Sequence, residues 1–281
     1  MVKVKSKIKV FIFCHKPVEG LRWDDVYTPM HIGRVMSTRK EEMRDYLGDD
    51  TGDNISDRDV RFSEVTGLYW IWKNVHDVEY VGSTQYRRDF DVVFKNENVD
   101  QMFAGGYDVI FPAKNLHIQS RWHYFLMHVQ MEDYLIMRGV MKKQCPEYLS
   151  TLNSYLRGYY DYPGNMLVCR KVLYDKYAEW LFGILFEMEK YVRYSGYTNS
   201  SRVIGYIAEL LTPVYFLHHH CKIKECAFRF DGKLRKLSLK QTMAMWFLQN
   251  TMHRVMKKRT VWVNPSFYRG LKMDGIDLDC T

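Results

Sequence analysis

FSEVTGLYWIWKNVHDVEYVGST, residues 62–84, is the stretch that decides how this chain folds. From Phe62 to Asn74 the apolar residues recur with a helical period, and Leu68, Trp72 and Val75 fall on one face. Residues 80–84, YVGST, read as a short strand that runs directly into Gln85-Tyr86-Arg87-Arg88. Working outward, IKVFIF (8–13) reads as a buried strand ended by His15-Lys16-Pro17, and GYDVIFPA (106–113) as another strand ending in a proline. A helix is predicted over about 120–143, where Trp122, Phe125, Val129, Ile136 and Val140 set the apolar rhythm. GNMLVCRK (164–171) reads as a fourth strand, followed by helices from about Leu173 to Arg193 and from Arg202 to Leu211. VYFLHHH (214–220) reads as a last strand. Strands alternating with helices predict an α/β fold built on a mostly parallel sheet.

Composition sets the outer limits. The chain has 281 residues, 47% hydrophobic and 26% charged, which suits one large domain with or without a smaller appendage. The 21 tyrosines raise the aromatic share to 15%, and such rings suit stacking on bases or packing on sugar faces, besides filling a core. None of the six cysteines forms a C-x-x-C pair, and no run of 18 apolar residues occurs. The expectation is a cytoplasmic protein with reduced thiols that does not span a membrane. Charge is uneven. Between Lys222 and Arg259 eleven Lys and Arg face only two acids, Glu225 and Asp231, in a chain whose net charge is +8. This predicts a near-neutral body over residues 1–221 and a basic, helical C-terminal appendage over 222–281 that meets an anionic partner. Within it, KLRKLSLKQTMAMWFLQNTMHRVMKKR (233–259) interleaves basic with apolar residues, as interfacial membrane helices do, or as a helix docked on the body does.

No Walker loop, G-x-G-x-x-G, H-E-x-x-H or G-x-S-x-G is present. Four more diffuse constellations remain. Asp49-Asp50-Thr51-Gly52-Asp53-Asn54 is either a loop that accepts hydrogen bonds from sugar or ribose hydroxyls, or a solvated turn. Arg87 and Arg88 close a predicted strand, where open α/β sheets bind ligands, and two guanidinium forks there match a diphosphate. A pair of surface arginines bridged to Asp89 or Asp91 is the alternative. Asp89-Phe90-Asp91 is a literal D-x-D, a common and weak pattern. His218, His219 and His220 alternate in direction if they lie on a strand, and so do not converge on one ion.

Taken in order, FIFCHKP, YTPMHIGR, GDDTGDNISDRDVRFSEVTGLYWIWKN, YVGSTQYRRDF, the Tyr124/His128/Asp133 spacing, GNMLVCRKVLYDKYAEWLFGILFEME and RVIGYIAELL resemble a bacterial glycosyltransferase family. That family makes capsule and exopolysaccharide, was long classed as a domain of unknown function, and is linked to galactofuranosyl transfer. The resemblance covers roughly residues 8–217. Gln85 stands where the family usually has His, and Asp89 where it has an aromatic, which makes the D-x-D incidental.

The resemblance implies a GT-A-like nucleotide-sugar-binding fold and transfer of a hexose, galactofuranose or galactose, from a UDP-sugar to a lipid-linked or oligosaccharide acceptor. On this reading Arg87 and Arg88 hold the diphosphate with Lys73 as a helper, and His15, Lys16, Asp49, Asp50 and Asn54 hold the nucleotide and donor sugar. Asn165 joins the donor side, and Arg202, Tyr206 and His128 the acceptor side. An inverting reaction needs a carboxylate base, for which Glu209 is the first choice and Asp50 the second. No cofactor is expected, because arginines replace the usual acids; metal-independent transfer is favoured, with manganese or magnesium as the alternative. The enzyme is expected on the inner face of the bacterial membrane, touching anionic lipid and no nucleic acid. A non-catalytic nucleotide- or glycan-binding module is the competing function.

Overall fold

The computed structural model describes residues 6–117, 120–194, 201–235, 239–248, 251 and 265–277. The chain divides into two compact units. The first comprises residues 1–113, 162–179 and 220–236, the second 114–161, 180–219 and 237–281.

The first unit is built on one sheet. Its strands are β1 (Ile8–Cys14), β2 (Tyr27–His31), β3 (Leu47–Gly48), β4 (Tyr80–Gln85), β5 (Arg88–Phe90), β6 (Val109–Pro112), β9 (Leu167–Arg170), β10 (Ile223–Cys226), β11 (Phe228–Phe230) and β12 (Lys233–Arg235). The main order is β10-β6-β9-β4-β1-β2-β3, in which β9 runs against all the others. IKVFIF forms β1 because a central parallel strand is covered on both faces and reads as a continuous apolar run. Val10, Ile12 and Cys14 join the core with Tyr27, Phe94, Val168 and, from helix α3 (Val99–Phe103), Val99 and Phe103. Phe11 and Phe13 turn to the other face, where Phe11 meets Trp70 at 5.8 Å between ring centres.

Residues 62–84 fold as expected in kind, with one break. Helix α1 (Asp59–Phe62) and helix α2 (Val65–Asn74) are separated at Ser63, whose φ is 53°. Gly67 lets α2 lie close on the sheet, since a Cβ there would come within 2.6 Å of Phe13 and Ile32. Strand β2, unanticipated because it contains Pro29, tolerates that proline near the sheet edge, where β3 pairs only with Met30 and His31.

The basic segment departs from expectation. Residues 223–226 form β10, parallel to β6, and 228–235 form a hairpin on β5. Backbone pairing thus draws the first part of the appendage into the sheet, and the next described element is the helix Leu239–Phe247. Of the stretch read as interfacial, residues 236–238, 249–250 and 252–259 lie outside the described residues.

The second unit is mainly helical: α4 (Arg121–Leu126), α5 (Met131–Gln144), α6 (Leu149–Leu156), α8 (Val203–His218), the later part of α7 (Lys171–Glu189), α9 (Leu239–Phe247) and α10 (Pro265–Met273). A short ribbon, β7 (Asn115–Leu116) with β8 (Tyr160–Asp161), completes it. The helix predicted over 120–143 is two helices, interrupted at 127–130. The strand predicted at VYFLHHH is the end of α8: Val214–Phe216 belong to a stretch of the helix buried on every side, a pattern that periodicity cannot tell from a buried strand. Its histidines serve packing, with His218 stacked on Tyr148 at 3.8 Å and His219 Nε2 2.8 Å from the Tyr148 hydroxyl.

Asp133, in the first turn of α5, is only 8% exposed. Burial, aided by the charge of Glu132, pushes its carboxyl up to about 6. A raised carboxyl favours the folded state at low pH and loses that contribution as pH rises through about 6. Asp133→Asn is therefore expected to raise the melting temperature at pH 8 while leaving pH 4 unchanged, a gain of ~2–3 kcal/mol at 1.36 kcal/mol per pKa unit. Equal melting shifts at the two pH values would contradict this.

Candidate functional site

The register of the sheet gathers the predicted donor residues at one edge. His31 is level with Cys14 on one side and Gly48 on the other, and Phe13 is level with Gln85. The segments that leave this line are His15-Lys16, Ile32–Arg34, Asp49-Asp50 and Tyr86–Arg88. All four follow the carboxyl ends of parallel strands, where open α/β sheets present their loops to ligands.

The cations converge there. Lys16 Nζ lies 5.8 Å from the centre of the Tyr86 ring. Arg87 and Arg88 stand over the Phe230 ring at 5.3 and 5.1 Å. Arg88 Nη1 donates to Gln85 Oε1 at 2.7 Å, Gln85 Nε2 donates to Glu64 Oε1 at 3.1 Å, and Asn165 Nδ2 donates to the same oxygen at 3.3 Å. The Asn165 carbonyl accepts from Ser83 Oγ at 2.7 Å, which ties this turn to β4. Gly164 makes the approach possible: its φ is 66°, and a Cβ would meet Gln85 Nε2 at 3.1 Å and Arg88 Nη1 at 3.4 Å. Glu64 and Gln85 are thus members of the site that residue-by-residue reading passed over. Glu64 looks like an ordinary helix-start acid in sequence, and only the fold brings Asn165 to it.

The acidic loop splits between roles. Asp49 is fully buried and accepts from Gly33 N (2.9 Å), Arg34 N (3.1 Å), Ser56 Oγ (2.5 Å) and Thr66 Oγ1 (2.7 Å). Its four acceptor positions are filled within the chain, so it organises the loops and does not face a ligand. Asn54 is likewise spent on its own turn, accepting from Ser56 N and donating to the Gly52 carbonyl. Asp53 and Thr51 are fastened to α2 through Tyr69, Asn74 and Trp70. Asp50 differs: it is half-buried, 3.9 Å from Arg34 Nε, and its Oδ1 is enclosed without a hydrogen-bond partner among the described residues. His31 is fully buried beneath, both ring nitrogens without a hydrogen-bond partner among the described residues, and its pKa is lowered by burial and then by the charge of Arg34. His15 is exposed, 4.0 Å from Asp59.

Lys73 does not join this edge. It lies in the last turn of α2, which runs from the carboxyl edge back to the start of β4, and its ammonium rests on Trp72 at 3.6 Å. A crossover helix places its first and last turns at opposite ends of the sheet. The end of α2 instead borders a 410 Å³ cleft lined by Lys9, Phe11, Thr28 and Asn74 among others.

Asp89 and Asp91 do not fit a divalent-ion site. Asp91 is paired with Arg229 at 2.6 Å, and Asp89 accepts from Thr84 while burial raises its pKa.

The second unit carries its own polar surface. Along residues 201–216 only Arg202, Tyr206 and Glu209 escape burial, and their spacing makes one stripe on α8. Arg202 stands 5.8 Å over Tyr206, and Tyr206 stacks on His128 at 5.1 Å. The rings continue through Tyr124, 5.2 Å from His128, to His117, 4.2 Å from Tyr124. His117 Nε2 lies 3.0 Å from Asp161 Oδ2, with Arg121 Nη1 at 3.9 Å from the same oxygen. Arg121 and Asp161 are 3% and 2% exposed, and Arg121 Nε and Asp161 Oδ1 have no hydrogen-bond partner among the described residues. Glu209 adds its field to Arg121. The expected acceptor residues are therefore brought together, and His117, Tyr124, Arg121 and Asp161 extend them.

The family model for a domain of unknown function (DUF4422) matches residues 9–220. The chain belongs to this family. The resemblance drawn from FIFCHKP through RVIGYIAELL is borne out. Among solved structures the chain is similar to WbbM, a bifunctional glycosyltransferase, at 25% identity and a TM-score of 0.69. The match covers 82% of this chain and 46% of that one, so this chain corresponds to less than half of WbbM. The mannosyltransferase Ktr4p from S. cerevisiae is matched at 12% identity over 80% of this chain and 70% of its own, with a TM-score of 0.35, too low to carry weight. No curated protein matches the chain in sequence. The fold is GT-A-like, a largely parallel central sheet flanked by helices, as expected.

Proposed function

We propose that this member of the DUF4422 family is a glycosyltransferase that moves a hexose, galactofuranose or galactose in preference, from a UDP-sugar to a surface-polysaccharide acceptor. The convergence of Lys16, Arg87 and Arg88 on the carboxyl edge of a GT-A-like sheet carries the reading. Displacement at the anomeric carbon leaves a diphosphate whose charge must be neutralised, and guanidinium forks do so without a metal. The sugar develops oxocarbenium character, and the attacking hydroxyl loses its proton to a carboxylate.

Glu209, on the open stripe of α8, and Asp50, with an oxygen left over, are the carboxylates proposed for that proton in an inverting reaction. His15 and Asn165 complete the donor side, and Arg202, Tyr206 and His128 the acceptor side. Aromatic faces such as Tyr206 pack against the C–H faces of sugars. The enzyme works at the inner face of the membrane, where the basic C-terminal residues meet anionic lipid around a lipid-linked acceptor. No helix among the described residues is long and apolar enough to cross a membrane.

Thermal unfolding with UDP, UDP-galactose and UDP-galactofuranose is the first test, since a ligand of the native state raises the melting temperature by mass action. At one hundred times Kd the expected stabilisation is about 2.7 kcal/mol, unchanged by EDTA or manganese. Absence of any shift with all three would remove the donor assignment. A shift that appears only with manganese would end the metal-free mechanism and leave the donor class standing.

A further inference from the structure

The arginine cluster is already facing a carboxylate. Hairpin β11–β12 turns at Asp231-Gly232, where both residues have positive φ, 45° and 77°. This is the Asp-Gly turn that a two-residue hairpin prefers. The hairpin is sewn to the site by β5, with Phe230 opposite Arg88, and by Asp231 N donating to the Arg87 carbonyl at 2.8 Å. At its tip Asp231 fills the Arg87 fork: Nε donates to Oδ1 at 3.0 Å and Nη2 to Oδ2 at 2.8 Å. The Asp231 carboxyl is held below its usual range by the Arg87 hydrogen bond, and also by the charges of Arg87, Arg88 and Lys16. These are the three cations that converge on the proposed donor site. The pair stays open to solvent, at 52% and 49% exposure, so an incoming anion can reach it.

We propose that Asp231 is an intramolecular competitor for the donor's diphosphate and sets the affinity of this site. Two carboxylate oxygens on a guanidinium fork reproduce the geometry of two phosphate oxygens. A diphosphate using Arg87 must displace Asp231, and Asp231 retakes the fork as the nucleoside diphosphate leaves. The device weakens binding of the donor and of the product alike, and so shortens product residence, a step that limits turnover in many enzymes. The inference rests on the donor assignment above, and the test separates the two.

Asp231→Asn suits the test, because asparagine accepts the positive φ of this turn without strain. Dissociation constants for UDP and inorganic pyrophosphate are measured by calorimetry for the wild type, D231N, R87A and R87A/D231N. D231N is expected to bind both ligands about two- to fivefold more tightly, the scale of one exposed bidentate pair. That gain should vanish in the R87A background, because the competition acts through Arg87. Equal or weaker binding by D231N would make Asp231 a positioning residue and overturn the proposal. A gain that survives intact in R87A would reduce it to a general field effect, and overturns it too. If neither the wild type nor D231N binds either ligand, the donor assignment falls with it, whereas wild-type binding unaltered by D231N leaves that assignment in place.

Discussion

Arg88→Ala is expected to lower kcat/KM for the UDP-sugar by about a hundred- to a thousandfold, the usual cost of removing one group that stabilises developing charge. The fold should survive, because the strand pairing of β5 with β11 is made by backbone and Arg88 is only half-buried. Its side chain is held from two directions, by Gln85 Oε1 at 2.7 Å and by the Phe230 face at 5.1 Å. A group so fixed loses little freedom on meeting a diphosphate. Arg88→Lys should recover only part of the activity, since an ammonium lacks the fork. UDP release, measured beside circular dichroism, decides the matter. A folded R88A variant with turnover within a few-fold of the wild type would remove Arg88 from the donor site.

Asp49→Ala is expected to destabilise the protein by about 3–5 kcal/mol, the range for stripping one partner from a buried charged network. Four donors would be left facing an apolar methyl: the Gly33 and Arg34 amides and the Ser56 and Thr66 hydroxyls. Each buried donor without a partner costs about 1–3 kcal/mol before relaxation. Asp49→Asn, which keeps the shape but loses charge and two acceptor positions, should fall between. Denaturant midpoints measure the loss, and the dissociation constant for UDP, taken at low temperature on the folded variant, should change little. Wild-type stability with lost UDP binding would return Asp49 to the ligand.

These two residues show how unevenly the site can be read from sequence. Arg87 and Arg88 follow a strand whose identity is plain from YVGST, and a strand's carboxyl end is a ligand position by topology. Asp49 and Asp50 are adjacent and chemically alike. What separates them is that one carboxylate points beneath the loops, toward Ser56 and Thr66, while the other leaves an oxygen over. Lys73 fails for the opposite reason. It belongs to the most recognisable motif of the chain, but motif membership says nothing about which end of a crossover helix faces the site.

Asn165 and Glu64 are 101 positions apart, and their meeting depends on β9 entering the sheet antiparallel to β4. Asp231 and Arg87 are 144 apart, and no local pattern announces the hairpin that joins them. The basic tail was legible as charge and illegible as structure, since strand β10 is formed by backbone pairing with β6 and its side chains carry no clear alternation.

By itself the sequence determined the α/β class, the apolar run of β1, the helix–strand unit at 62–84, the family and the cationic strand end. All of these rest on local periodicity or on a contiguous motif, whose physical meaning survives any arrangement of the remainder. Tertiary structure alone decided which carboxylates are structural, that Glu64 and Gln85 brace Arg88 and Asn165, and that Asp231 occupies the Arg87 fork. Those outcomes depend on hydrogen bonds between residues distant in the chain. Such bonds are set by strand order and register, which the order of residues along the chain does not display.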